Sequence, residues 1–259
     1  MRDEGEMCKR GRVSVCMATY NGSEFVREQL ESILSQLDPS DEVIVLDDAS
    51  TDGTLDVVAS VADSRVHLHG CLTNSGHVKA FEQAISLASG SVILLADQDD
   101  VWPDGRVELM VKALARRPVV AGNLTAFGHE SDPKSMRPLL AMHSGARLRN
   151  LAGILAGRRA YFGCAMAFRS QLRSVLLPIP DYVEAHDHWL AMVGNVCGGV
   201  EHIEQSVVCR RIHSANLTAR ARRPALRVLL SRLRMIRAVG EAFRRRHTSL
   251  ESPMHEVCT

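Results

Sequence analysis

The chain predicts an α/β fold, a mainly parallel sheet with helices on both faces. Three observations lead there. Short apolar runs alternate with stretches whose apolar residues recur every three or four positions. Two of the runs end in carboxylates: Val43-Ile44-Val45-Leu46 in Asp47-Asp48, and Val92-Ile93-Leu94-Leu95-Ala96 in Asp97-Gln98-Asp99-Asp100. A continuous apolar run fits a strand buried on both faces, and ligands of open α/β sheets bind outside the carboxyl ends of such strands. Third, 259 residues with 46% hydrophobic content suffice for one large domain, or for one domain with an added lobe.

The elements follow in order. Residues 1–11 are charged and read as a flexible leader without a signal peptide. Val13 to Ala18 predicts a first strand and Thr19-Tyr20-Asn21-Gly22 a turn. Ser23 is placed to cap a helix that runs to about Leu37, where Asp38-Pro39-Ser40 stops it. Val43 to Leu46 predicts a second strand. Ala49 to Thr54 forms a loop, and Leu55, Val58, Ala59 and Ala62 have helical spacing. A short strand over 66–68 precedes Asn74-Ser75-Gly76-His77, and the next helix carries Val78, Phe81, Ile85 and Ala88 on one face. The acid-tipped strand follows, then a helix from Pro103 to about Arg116 and a strand from Val119 to Phe127. Residues 128–150 are polar and predict a loop. Tyr161 to Phe168 reads as a strand, Ala185 to Val193 as a helix with a polar entry, and 200–203 and 206–210 as two short strands.

From Pro224 one helix is expected to about His247, with Leu226, Leu229, Leu230, Leu233 and Ile236 on one face. Ten arginines face three glutamates over 220–259, a charge of +7, which leaves 1–219 at −6 in a chain of net +1. Two readings of this helix stand side by side. It packs on the domain with a solvated basic side, or it makes peripheral contact with anionic lipid through 220–247.

Composition excludes several classes. At 4% aromatic content the chain lacks the stacking surface of a nucleic-acid binder. Seven scattered cysteines without a C-x-x-C pair form neither a disulfide framework nor a zinc ribbon, and predict reduced thiols in a cytoplasmic protein. No apolar run approaches the roughly 20 residues of a membrane span. Neither G-x-G-x-x-G nor G-x-x-x-x-G-K-[ST] nor G-x-S-x-G occurs, which argues against a dinucleotide oxidoreductase, a P-loop enzyme and an α/β-hydrolase.

The remaining chemistry lies in four clusters. Asp97 and Asp99, two apart, would point the same way in extended backbone and suit a ribose or a hard divalent cation. The competing reading is a cap, with Asp99 or Asp100 capping the helix that follows Trp102. Asp47-Asp48 with Ser50-Thr51-Asp52 reads equally as a strand-to-helix turn. His186-Asp187-His188 could be metal ligands, an acid/base site or a helix cap. Structural zinc is disfavoured for want of a cysteine pair, and Asp187 as general base is favoured. Arg210-Arg211-Ile212-His213 reads as a solvated basic edge, or as a diphosphate clamp with an extra metal ligand.

Taken together, VSVCMATYNG, EVIVLDDASTDGT, NSGHVKAFEQAISLASG, VILLADQDDVW, HDHWLA and RIHSANLT resemble the family 2 glycosyltransferases of GT-A fold, with a likeness to their rhamnosyltransferase-like branch. The segments occur in the family's order from Val13 to Thr218. The resemblance implies a nucleotide-sugar half over 12–127, an acceptor half over 128–219, and the basic helix and tail over 220–259. It implies that Thr19, Tyr20, Asn21 and Asp48 line the nucleotide pocket, that Asp97 faces the ribose and diphosphate, and that Lys79, Arg210 and Arg211 belong to the donor side. Asp99 and His213 would hold Mg2+ or Mn2+. Asp187 would be the catalytic base, with His186, His188 and Trp189 on the acceptor side. His188 departs from relatives that carry an aromatic there, which bears on acceptor recognition.

The expected reaction is inverting transfer of a sugar from a dTDP- or UDP-sugar to a glycan or lipid-linked hydroxyl, in surface polysaccharide or glycolipid assembly. The enzyme would sit in the cytoplasm or on the inner face of the membrane. Two alternatives are a non-catalytic nucleotide- or glycan-binding relative and a sugar nucleotidyltransferase. The first would lack metal-dependent transfer, and the second would release pyrophosphate from a nucleoside triphosphate.

Overall fold

The computed structural model describes residues 10–128, 138–213 and 224–251, with only the backbone of the last two. Most of the expected leader, part of the 128–150 loop and Ser214 to Arg223 lie outside the described residues. The sheet has seven strands: β1 (Val13–Thr19), β2 (Glu42–Asp47), β3 (Val66–Gly70), β4 (Val92–Asp97), β5 (Val119–Gly128), β6 (Met166–Arg169) and β7 (Val200–Ile212). Their spatial order is β3-β2-β1-β4-β6-β5-β7. All neighbours pair in parallel except β6, which runs antiparallel to both β4 and β5. The mainly parallel α/β expectation therefore holds, with one reversed strand.

Alternation along the strands builds two cores, one per face. Val13, Val15 and Met17 of β1, with Leu94 and Ala96 of β4, meet helices α1 (Val26–Leu34), α2 (Thr54–Ala59) and α4 (Arg106–Ala113). Cys16 of β1, with Ile93 and Leu95 of β4, meets α3 (His77–Leu87), α5 (Arg147–Leu155), α6 (Arg173–Leu176), α7 (His186–Cys197) and α8 (Ala225–Glu251). The chain goes outward from β1 to β2 and β3, then returns to β4 on the other side of β1. That reversal opens a crevice at the carboxyl ends of β1 and β4.

Several local expectations are corrected. Ser23 does not cap α1; the helix starts at Val26, and the Ser23 N–H donates instead to Asp52 at 3.1 Å. Neither Asp99 nor Asp100 caps the helix after Trp102, because α4 begins at Arg106 behind Gly105, which is left-handed at φ 75°. Part of the expected 128–150 loop is helical, since α5 begins at Arg147 and buries Asn150, Leu151 and Ile154. The strand expected over 161–168 is a 3-10 turn, Gly163–Ala165, followed by β6. The two short strands expected over 200–210 are a single strand, β7. Its pairing with β5 slips on either side of Asn123, so the polar Glu204-Gln205 step is a bulge and not a break. The Asn123 side-chain amide donates to the Glu204 carbonyl at 2.9 Å, which satisfies a backbone group in the bulge, and to the Leu139 carbonyl at 3.0 Å.

Candidate active site

The first wall of the crevice consists of the loops after β1 and β2. Asn21 takes φ 48°, which turns its side chain so that Oδ1 accepts from the Thr51 N–H at 2.8 Å. The Asn21 N–H donates to Ser50 Oγ and the Gly22 N–H to Thr54 Oγ1, each at 2.8 Å. Gln98 clasps Tyr20 from the other side: Oε1 accepts the Tyr20 N–H at 2.8 Å, and Nε2 donates to its carbonyl at 3.0 Å. A Cβ on Gly22 would lie 2.2 Å from Gln98 Oε1, so this approach requires glycine. The Tyr20 ring is left about half exposed at the crevice edge.

Asp47 and Asp48 hold this wall in place. The Asp47 carboxylate accepts from Thr19 Oγ1 at 2.9 Å and from the Ser50 N–H at 2.8 Å. Asp48, buried, accepts from the Ser75 N–H at 2.7 Å, Ser75 Oγ at 3.0 Å and the Gly76 N–H at 2.8 Å, and thereby docks the entry of α3. Three donors already occupy the carboxylate that the sequence assigns to the nucleotide pocket. Lys79, expected on the donor side, pairs with Asp181 at 2.8 Å and Glu82 at 3.3 Å.

The floor is the acidic tip of β4. Extended backbone ends at Asp97, and Gln98 and Asp99 turn, so the same-side arrangement expected of Asp97 and Asp99 is not what forms. Asp97 instead groups with Asp100 and Cys164, their ligand atoms all within 4.8 Å of one another. Asp99 turns toward β7, where His213 Nε2 lies 2.8 Å from its Oδ2. Stacking on Phe25 at 4.8 Å fixes the His213 ring. Arg211 sits over Phe25 and Phe127, and its backbone N–H donates to Asp100 Oδ1 at 3.3 Å.

Burial, and then repulsion from Asp100 and Asp99, holds the Asp97 carboxyl well above the usual carboxylate range. Asp100 is raised by burial and by Asp99. Beneath them lies Arg106, 1% exposed, stacked on Trp102 at 3.8 Å, its guanidinium donating to the Leu95 and Cys164 carbonyls. Burial pulls Arg106 down to about 9 against the attraction of Asp100 and Asp97. The molecule thus carries a buried countercharge under the acids, and Asp100 Oδ2 remains buried with no hydrogen-bond partner. The acids of this cluster and the orphaned Asp100 oxygen suit a hard divalent cation, whereas Asp99 and His213, the ligands expected from the sequence, lie outside that group and pair with each other at 2.8 Å. Cys164 is a poor candidate ligand for such an ion. Burial and then Asp97 drive its thiol well above its ordinary value, which disfavours the thiolate a metal would need.

The Gly163–Ala165 turn links this floor to α7. Cys164 touches the acids, while its neighbour Gly163 abuts His186: a Cβ there would lie 2.4 Å from His186 Nε2. The His186 ring stacks on Phe81 at 4.0 Å and meets His77 edge-on at 5.7 Å. It is buried and both ring nitrogens lack a partner. Burial lowers its pKa to about 4, so it is neutral near pH 7. Asp187 follows in the first turn of α7, with Oδ1 accepting from the His188 N–H at 2.6 Å. His188 lines a cavity of about 100 Å³ between α7 and α8, together with Tyr182, Glu184, Arg234 and Met235. Trp189, expected on the acceptor side, is fully buried and donates its indole N–H to the Leu176 carbonyl at 2.9 Å. It anchors α7 in the core and does not face the crevice.

Asp99 and His213, 114 positions apart, thus meet at one sheet edge. Gln98, Arg106, Cys164 and Gly163 were not anticipated as parts of the site. Gln98 lies inside the acidic motif, where the charged neighbours carry the stronger signal, whereas nothing in the spacing of Arg106 or Cys164 points to β4.

A mainly parallel sheet with an acid-lined crevice at its switch point, backed by a second acidic strand end, defines an α/β protein that binds its ligand at the carboxyl edge of the sheet. The glycosyl transferase family 2 model matches residues 14–176, and the chain belongs to that family. Among solved structures it is similar to Staphylococcus aureus TarS 1–349 in complex with UDP-GlcNAc, with a TM-score of 0.68 at 19% identity, covering 95% of this chain and 77% of that one. It is also similar to the mannosyltransferase PcManGT from Pyrobaculum calidifontis in complex with GDP-Man and Mn2+, with a TM-score of 0.61 at 20% identity over 95% and 77% of the two chains. These likenesses establish the GT-A fold. Among curated proteins, the Escherichia coli UDP-Glc:alpha-D-GlcNAc-diphosphoundecaprenol beta-1,3-glucosyltransferase WfaP is 37% identical over 93 residues, 35% of this chain and 36% of WfaP. The chain matches less than half the length of such curated relatives.

Proposed function

We propose that this chain is an inverting, metal-dependent glycosyltransferase. It moves a sugar from a nucleotide-diphospho-sugar to a hydroxyl acceptor in the assembly of a bacterial-type surface polysaccharide or glycolipid. The observation that carries the reading is the convergence of Asp97, Asp99, Asp100 and His213 at the β4 tip with the His186-Asp187 entry of α7 beside them, joined through Gly163-Cys164.

In this reading Asp99 and His213 hold Mg2+ or Mn2+, which when bound offsets the charge of the donor diphosphate. Asp97 faces the ribose, Tyr20 borders the base, and Arg210 and Arg211 supply positive charge to the leaving group. The Asp187 carboxylate takes the acceptor hydroxyl proton as that oxygen bonds to the anomeric carbon. The bond from that carbon to the diphosphate breaks, and the nucleoside diphosphate leaves with the electron pair. One base on the face opposite the leaving group inverts the configuration, and the transition state shares the oxocarbenium character of glycoside hydrolysis. His186, neutral and unpartnered, borders the reacting centre, and His188 with its cavity lies on the acceptor side.

Donor class is proposed as a dTDP- or UDP-sugar, with the rhamnosyltransferase-like segments favouring a deoxysugar. The name of WfaP gives a UDP-sugar donor and a lipid-diphosphate acceptor for that protein, which supports a lipid-linked acceptor and a position on the inner face of a membrane here. A panel of UDP- and dTDP-sugars with Mn2+ or Mg2+, read by release of nucleoside diphosphate, tests the assignment. Asp187→Asn is expected to lower turnover by at least two to four orders of magnitude, the range ascribed to a positioned base. Asp99→Ala should abolish the metal response. Undiminished transfer in both variants sinks the roles given to them.

A further inference from the structure

We infer that the outer face of α8, extended by Leu148 of α5, is a docking surface for an anionic lipid bilayer. The inference deepens the lipid-linked-acceptor reading by naming the surface and the lipid class, and its test does not depend on transfer.

The argument starts from which side of α8 is buried. An amphipathic helix on a domain ordinarily turns its large apolar residues inward. Here Ser231, Ala238 and Ala242 are buried against the domain, while Leu226, Leu229, Leu233 and Ile236 are 67%, 56%, 53% and 55% exposed. Met235 and Val239 also pack inward on the core, and the opposite face of α8, which carries the leucines, is turned outward. At a rise of about 1.5 Å per residue the stripe from Leu226 to Ile236 runs about 15 Å, and Phe243 carries it about 10 Å further. Leu148, 80% exposed, shares an open groove with Phe243 and brings α5 into the same surface. A contiguous apolar patch of this kind marks an interaction site.

Charge selects the occupant. Helix α8 carries seven arginines against Glu241 and Glu251. Glu241 is engaged by Arg244 and Arg245, and Glu184 beside the helix by Arg234. Arg227, Arg237 and Arg244 are exposed along the apolar stripe, and Arg149 lies exposed next to Leu148. Leucine flanked by arginine fits the boundary between acyl chains and anionic headgroups. A second copy of the chain would set one arginine row against another, which charge repulsion opposes. Among the described residues no helix is long and apolar enough to cross a membrane, so α8 would lie on the bilayer and not span it. Arg234 also lines the cavity beside His188, so docking through α8 would hold that cavity close to the lipid surface.

The test is co-sedimentation of the full chain with vesicles of phosphatidylcholine alone and of phosphatidylcholine with phosphatidylglycerol. Binding is expected to the anionic vesicles, to weaken at high salt, and to be much weaker for the neutral ones. Leu229→Gln with Leu233→Gln should lower it at least tenfold. Both positions are exposed, and an unchanged thermal midpoint identifies a folded variant. A second variant, Leu148→Gln, should lower binding several-fold from α5 alone. Equal binding by wild type and folded variants overturns the inference, as does a leucine-dependent dimer in sedimentation equilibrium without vesicle binding. Nucleoside diphosphate release by the same samples in solution reports on the transferase reading separately.

Discussion

His186 shows how much of this site turns on single side chains. Its imidazole is enclosed by Phe81, His77 and Gly163 with no hydrogen-bond partner, and burial lowers its pKa from 6.5 to about 4. Between those values the unfolded chain binds a proton that the native chain does not. The stability this residue contributes is therefore complete above pH 6.5 and lost as pH falls toward 4, about 3 kcal/mol over the whole window. His202 acts in the same direction, lowered to about 4 chiefly by burial. Asp97 and Asp100, raised by burial, act in the opposite direction because the native state retains their protons. The informative measurement is the difference between wild type and His186→Leu in urea unfolding at pH 7 and pH 4.5. The variant should lose less stability on acidification, and parallel pH curves would refute a buried neutral imidazole. In the sequence His186 was legible only as a neighbour of Asp187. Its orphaned nitrogens come from packing against α3 and the 163–165 turn, segments distant along the chain.

Among the elements, strand ends and their polar turns are legible in the sequence, and the contacts that join them are not. Three segments, VSVCMATYNG, EVIVLDDASTDGT and VILLADQDDVW, place the β1, β2 and β4 tips, because each couples a buried strand to a polar turn. What they could not supply was the brace between tips. Gln98 bridges the β4 tip to the backbone of Tyr20 after β1 with two hydrogen bonds. Gln98→Ala should loosen the Tyr20-Asn21-Gly22 loop and raise the donor KM several-fold. Two lost hydrogen bonds imply a cost of about 1–3 kcal/mol, part of it confined to the loop. Donor titration followed by chemical denaturation checks both, and an unchanged KM would remove Gln98 from the donor side. The turn at Gly163 illustrates the opposite difficulty. Tyr161 to Phe168 has the residues of a strand, but only Met166–Arg169 finds partners in β4 and β5. The preceding residues bend to bring Cys164 under Asp97 and Gly163 against His186.

Across the whole molecule, the two cores separate the faces of the sheet and leave its carboxyl edge for the site. Helix α8 closes one face by laying Ala238 and Ala242 over α6 and α7. Ala242→Leu should overpack that contact and destabilise the fold by about 1–3 kcal/mol, read as a lower urea midpoint at unchanged slope. No loss of stability would mean that α8 rests on the domain only loosely. Periodicity, the acidic strand tips and the order of the motifs were sufficient for the fold class, the family likeness and the edge at which chemistry gathers, because each is a local pattern with a local physical cause. Tertiary structure alone set the rest: Asp97 against Cys164 and Asp100, Arg106 beneath them, Trp189 turned into the core, and the leucines of α8 turned outward. Each of those outcomes depends on which distant side chain occupies the neighbouring volume, and close packing decides that only when the whole chain is assembled.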